Sequence, residues 1–176
     1  TKTASHNPIN YNGMKIVKSE SQPLCQETDL KIIKRLSEKE KFTSVRIRGK
    51  AIDSSVEARS AYSERVLSFI DLNALKPLKI VVNSGNGAAG PTFDAIAQKL
   101  SAANVPIDFV RINHTPDHSF PNGIPNPLLP KNHLATAKVV RDVQADFGIA
   151  FDGDFDRCFF FDGNGRFVKG EFIVGL

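Results

Sequence analysis

Polar and apolar positions along the chain change period several times, and each change marks an element. From Thr28 or Asp29 as a cap, Leu30, Ile32, Ile33 and Leu36 recur at helical spacing with Lys and Glu between them, predicting a surface helix to about Lys41. Phe42 to Arg48 alternates Val45 and Ile47 with polar neighbours, a short strand closed by Gly49. A second helix is expected where Val56, Tyr62, Val66, Leu67, Phe69 and Ile70 recur, through about Asp71. Leu78 to Asn83 is too short for a helix and rich in β-branched residues, which reads as a buried strand. Glycines follow, then Pro91 as an early helical residue with Phe93, Ile96, Ala97 and Leu100 on one face.

The alternation continues with a strand at Val105 to Ile112, a helix capped by Asn132 and running to about Gln144, and a strand at Phe147 to Phe151. Alternating strands and helices imply parallel pairing with right-handed crossovers, so that the carboxyl ends of the strands share one rim where ligands bind. Gly85 and Asp152 fall on that rim. Gly163-Asn164-Gly165 between two aromatic runs predicts a hairpin, and Gly170 to Leu176 reads as a helix cut short. The fold class is therefore α/β: a parallel sheet with a mixed edge and helices on both faces, in three layers. The segment 51–176 carries it, and 1–50, which opens without Met on a turn with no strand before it, reads as the remnant of a similar domain.

Asn113 to Pro130 resists either period. Pro116, Pro121, Pro125, Pro127 and Pro130 keep it extended, and the interleaved Phe120, Ile124, Leu128 and Leu129 predict a loop that packs down in order.

Composition narrows the class without naming it. With 41% hydrophobic and 24% charged residues the chain is an ordinary globular one. Its longest apolar runs, such as Cys158 to Phe161, are far below the ~20 residues of a membrane span. The formal charge of +4 suits a phosphorylated ligand without implying nucleic acid, and the basic stretch Lys31 to Arg48 reads as a solvated face. Cys25 and Cys158 lie far apart with no zinc spacing, so a reducing cytoplasm is the expectation, and oligomeric state is not readable.

Asp152-Gly153-Asp154-Phe155-Asp156-Arg157 carries the sharpest chemistry. Three carboxylates at every second position just after a strand project to one side. Two unit charges ~4 Å apart repel by about 4 kcal/mol at an effective dielectric of ~20. A divalent cation between them is therefore expected, and hard oxygen ligands with open positions suit Mg²⁺. An EF-hand fails, because Arg157 stands where the loop needs glycine and Gly163 where it needs Glu. A phosphatase with Asp152 as nucleophile and Asp154 as partner stays open.

Thr3-Ala4-Ser5-His6-Asn7-Pro8 places a hydroxyl in an exposed turn, with Pro8 holding Asn7 out of helical space. Serine alone is a weak nucleophile. A phosphate on Ser5, however, would supply the oxygen that completes Mg²⁺ coordination beside Asp152, Asp154 and Asp156, and Lys15 would then move protons. Gly85, Gly87 and Gly90 fit the dinucleotide fingerprint G-x-G-x-x-G, but no acidic residue ends the second strand; a tight turn and close packing explain them, and a dinucleotide-binding module remains the alternative.

Taken together, Thr3 to Pro8 followed by Tyr11-Asn12-Gly13-Met14-Lys15, and then Asp152 to Arg157, resemble the α-D-phosphohexomutase superfamily. Phe120-Pro121-Asn122-Gly123-Ile124-Pro125-Asn126-Pro127-Leu128-Leu129 and Cys158 are most similar to its bacterial phosphomannomutase branch. The resemblance implies reversible phosphoryl transfer between C1 and C6 of a hexose through a phosphoserine and hexose 1,6-bisphosphate, with phosphoglucomutase chemistry as the neighbouring possibility. It also implies that Ser5 is the phosphoserine, Asp152, Asp154 and Asp156 hold Mg²⁺, Arg157 steadies phosphate, His6 contacts substrate and Lys15 is the acid/base group. Members have four domains around one cleft, so this chain would be the end of the first and most of the second, inactive alone. Phe155 replaces the glycine commoner at its position.

Overall fold

The computed structural model describes residues 3–40, 42 and 49–175. The strand expected at Phe42 to Arg48 lies outside the described residues except for Phe42. Two compact units divide the chain: Thr1–Thr3 with Gly13–Ser54, and Ala4–Asn12 with Ser55–Leu176.

In the smaller unit, the expected helix opens as a wide π-type turn at Gln26–Leu30 and continues as α1, Lys31–Glu38. Neither Thr28 nor Asp29 caps it, since both lie inside the turn that Cys25 precedes. Asp29 sits inside the first turn, where its carboxylate accepts from Cys25 N–H at 2.9 Å and pairs with Lys18 at 2.6 Å.

The larger unit is built on five strands: β1 Leu78–Asn83, β2 Ile107–Ile112, β3 Phe147–Phe151, β4 Cys158–Asp162 and β5 Phe167–Val168. Their order is β2-β1-β3-β4-β5. β1 pairs in parallel with β2 and β3, and β4 and β5 add antiparallel, as expected of a mixed edge. The helices are α2 Ser55–Leu67, α3 Ala89–Ala102, α4 His133–Asp142 and α5 Gly170–Val174.

Strand alternation sends Val81 to one face and Ile80 to the other. Val81 packs with Val140 and Ala145 on the α4 face; on the opposite face Phe93 of α3 meets Phe109 edge-on, with ring centroids 4.9 Å apart. Helices thus cover both faces. Because β1 leads outward to β2 while β3 joins on β1's other side, the carboxyl ends of β1 and β3 part at a switch point, which opens a crevice there.

Three local differences from the pattern have physical causes. β2 starts at Ile107, since Pro106 has no N–H for the ladder and instead its carbonyl accepts from Leu78 N–H at 3.2 Å. Asn132 is at the N-cap position of α4, as expected, but makes no side-chain cap bond; its amide donates to the Ile124 and Asn126 carbonyls at 3.1 and 2.9 Å. The proline-rich loop is ordered through such amides, and its Pro125 and Pro127 are buried. Its large aliphatics are not: Ile124, Leu128 and Leu129 are 37%, 56% and 41% exposed.

A second core cluster joins Ala137, Ala150 and Phe161, with Phe161 at 1% exposure and its ring edge-on to Phe167. Truncating it leaves a cavity that the sheet cannot fill by collapse. Phe161→Ala is expected to lower unfolding free energy by about 3–5 kcal/mol, read from urea denaturation.

Candidate active site

Pro8 and the Asn7 amide shape the serine turn. Asn7 N–H and its side-chain amide both donate to the Ala4 carbonyl, at 3.0 and 2.9 Å, and Tyr11 N–H closes back on Pro8. Ser5 at the apex has φ +51°, the left-handed region that non-glycine residues enter only when their surroundings hold them there.

Those surroundings are the loop that leaves β3. Ser5 Oγ lies 3.0 Å from Asp154 Oδ1 and 3.2 Å from Asp152 Oδ2, and also 3.0 Å from His6 Nδ1. One hydroxyl proton cannot serve all three. Arg157 completes the group: Nη2 donates to His6 Nδ1 at 2.9 Å and to Ser5 Oγ at 3.4 Å, and Nε stands 3.3 Å from Asp152 Oδ2 and 3.4 Å from Asp156 Oδ1.

Asp152, Asp154 and Asp156 each offer a carboxylate oxygen within 4.8 Å of the others. Asp152 is 1% exposed, and burial pushes its carboxyl above the ordinary range; the Arg157 backbone N–H at Oδ1 opposes this, and the neighbouring Asp154 charge adds to it. Among the described residues, the Arg157 guanidinium stands against Asp152 and Asp156 of this trio. A set of three carboxylate oxygen donors this close together fits a hard divalent cation.

Close backbone contact sets the height of this loop. A Cβ on Gly153 would lie 2.1 Å from the Ser5 carbonyl oxygen, and one on Gly87 would lie 2.5 Å from the Gly153 carbonyl. Ala88 N–H donates to that same carbonyl at 2.9 Å. The glycine loop after β1, the aspartate loop and the serine turn therefore stack backbone on backbone. Phe155 takes φ +48°, which glycine adopts without cost, and Tyr62 of α2 meets its ring edge-on at 6.4 Å.

These contacts also weigh the alternatives. The space a pyrophosphate would take over Gly87 is filled by Gly153, and the N–H groups of Asn86, Gly87 and Ala88 already bond to backbone carbonyls, so the fingerprint serves packing. Asp152, buried and held at both oxygens, presents no open face for nucleophilic attack. Ser5, His6, Asp152, Asp154, Asp156 and Arg157 all lie in the larger unit; Lys15 lies exposed in the smaller one. Periodicity did not reveal the Ser84–His114–Asp94 chain, with Ser84 Oγ 3.1 Å from His114 Nδ1 and His114 Nε2 3.0 Å from Asp94. Ser84 is fully buried, so this chain ties β1 and β2 to α3 and has no nucleophile to present.

No helix among the described residues is long and apolar enough to cross a membrane.

Comparison with known proteins identifies relatives of the whole chain. Phosphomannomutase from Salmonella montevideo is 51% identical over 99% of this chain, and phosphohexose mutases from Xanthomonas campestris are likewise 51% identical over 99%. A crystal structure of a phosphoglucomutase/phosphomannomutase family protein from Burkholderia thailandensis superposes with a TM-score of 0.78 at 29% identity, covering 97% of this chain and 34% of its own. The chain spans 38% and 37% of the length of the first two. The family description "Phosphoglucomutase/phosphomannomutase, alpha/beta/alpha domain II" matches residues 60–165, and the corresponding domain I matches residues 2–43. On the match of 60–165 together with the serine and aspartate loops brought into contact, this chain belongs to the phosphoglucomutase/phosphomannomutase family.

Proposed function

We propose that this chain carries the phosphoryl-transfer centre of a phosphomannomutase, which moves phosphate between C6 and C1 of mannose through a phosphoserine on Ser5 and a hexose 1,6-bisphosphate. The observation that carries it is Ser5 Oγ at 3.0 and 3.2 Å from two members of the acidic trio. Mannose is preferred to glucose on the strength of the 51% identical relative named for it. In domain terms, 1–50 would be the end of the first domain and 51–176 the second. A cytoplasmic enzyme acting on a phosphorylated hexose, with no nucleic-acid or membrane partner, fits the same reading.

Asp152, Asp154, Asp156 and an oxygen of the Ser5 phosphate would hold Mg²⁺. When bound, the ion offsets charge on the carboxylates and the phosphoryl oxygens. Arg157, in reach of Ser5 Oγ and His6, spreads the negative charge of the transferring group, and His6 orients the phosphate and contacts substrate. In the forward step the bond from phosphorus to Ser5 Oγ breaks and one to a sugar hydroxyl oxygen forms, the hydroxyl proton passing to Lys15 as base. Ser5 Oγ takes up a proton from solvent as it leaves; in the return step the other phosphoryl group of the bisphosphate passes back to Ser5 Oγ, which releases that proton to solvent, and Lys15 returns its proton to the departing sugar oxygen.

The test uses a polypeptide of the relatives' full length that carries this chain. Incubated with mannose 1,6-bisphosphate and Mg²⁺, it should gain one phosphoryl group that peptide mass spectrometry places on Ser5, and it should interconvert mannose 1- and 6-phosphates faster than the glucose pair. An unmodified Ser5 would overturn the reading.

The stacked glycines give a further expected result. Gly153→Ala should weaken Mg²⁺ binding at least about tenfold by calorimetry, because a Cβ there must lift the aspartate loop from the Ser5 carbonyl. Loss of binding should exceed any change in urea midpoint.

A further inference from the structure

The proline-rich loop leaves aliphatic side chains exposed, and two of them, Ile124 and Leu129, line a recess. A recess of about 320 Å³ lies between His6 of the serine turn and the loop residues Ile124, Asn126, Leu129, Lys131 and Asn132. No carboxylate lines it. Lys131 has no ion-pair partner among the described residues, and the Asn126 side-chain oxygen accepts from Leu128 N–H at 3.2 Å, which leaves its amide nitrogen for the recess. Asn132 is turned the other way round: its amide nitrogen is spent on two backbone carbonyls, so its oxygen is the atom left to accept.

Such a wall has one cation, donors and an acceptor for hydroxyl groups, and two half-exposed aliphatic surfaces at Ile124 and Leu129. That combination matches a phosphorylated hexose, whose C–H face is apolar, whose hydroxyls donate and accept, and whose phosphate is anionic. His6, the residue beside Ser5, joins the recess to the serine turn. We propose that this recess is a binding site for a hexose phosphate, with the ring on Ile124 and Leu129 and the charge directed to Lys131. The proposal rests on the phosphomutase reading above and assigns to the second domain a share in holding the sugar. It also gives the exposed Ile124 and Leu129 a role.

Titration of this chain with mannose 6-phosphate, followed by amide NMR, tests it. Saturable shifts are expected at Gly123, Asn126, Lys131 and His6. Lys131→Gln, a change at an exposed side chain, should weaken binding about tenfold, and Leu129→Asn should weaken it without altering the salt dependence that Lys131 confers. Uncharged mannose should bind the wild type no better than mannose 6-phosphate binds Lys131→Gln. Equal affinity in wild type and Lys131→Gln would overturn the proposal, as would shifts confined to the aspartate loop, and so would inorganic phosphate binding as tightly as the sugar phosphate. If Ser5 takes up phosphate while Lys131→Gln binds normally, the recess fails and the mutase reading stands. If the recess binds as described but Ser5 never accepts phosphate, the mutase reading fails.

Discussion

Ser5→Ala, in a polypeptide of the relatives' length, is expected to lower mannose phosphate interconversion by roughly 10⁴- to 10⁶-fold, the scale seen when a covalent nucleophile is removed. The chain offers no substitute at this point: Asp152 is buried and held, and His6 is shared with Arg157. Phosphoryl transfer through Ser5 requires its oxygen as both leaving atom and acceptor, so alanine removes both half-reactions at once. The aspartate loop should survive, since the packing of Gly153 engages the Ser5 carbonyl, a backbone atom that alanine retains. Mg²⁺ affinity of the unphosphorylated protein should therefore change little, which separates loss of the nucleophile from loss of the site. Activity within tenfold of wild type would refute the role of Ser5.

Asp154→Asn should have the second largest effect, on metal binding. Removing a supporting residue around a metal costs about 10- to 100-fold in affinity, so removing a charged ligand should cost at least about 100-fold. Calorimetry with Mg²⁺ reads this directly, and unchanged affinity would place the ion elsewhere. The pH dependence carries its own sign. Burial raises the Asp152 carboxyl, so the metal-free fold favours its protonated form. Stability contributed by this group is fully present below the unfolded value, about 3.9, and is lost as pH rises through the raised folded value. Mg²⁺ requires the ionised form, so its affinity should fall as pH drops through that same value. Urea midpoints with and without Mg²⁺ should consequently diverge with rising pH; parallel curves would contradict a metal at Asp152.

Much of the larger unit was legible from pattern. β1 and β3 coincide with the apolar runs, because strands buried on both faces in a parallel sheet need continuous apolar sequence. The hairpin turn was equally plain: Asp162 Oδ1 accepts from Asn164 N–H and Arg166 N–H, and Gly165 takes positive φ. Helix ends were less so. Asn132 stands at the N-cap position, yet its backbone is already helical (φ −89°, ψ −5°) and its amide nitrogen is held by two loop carbonyls, so its side-chain oxygen makes no cap bond.

Local sequence alone determined that this chain makes an α/β unit and that three carboxylates and a turn serine are available to chemistry, because period and turn preference act over a few residues. Only the tertiary structure decided that Ser5 meets Asp152 across 147 positions, that two glycine-bearing loops press backbone to backbone beneath them, and that Ile124 and Leu129 face a recess. The physical reason is that spacing encodes which face a side chain takes, whereas the partner on that face is set by strand order, and strand order is settled by the packing of the whole sheet.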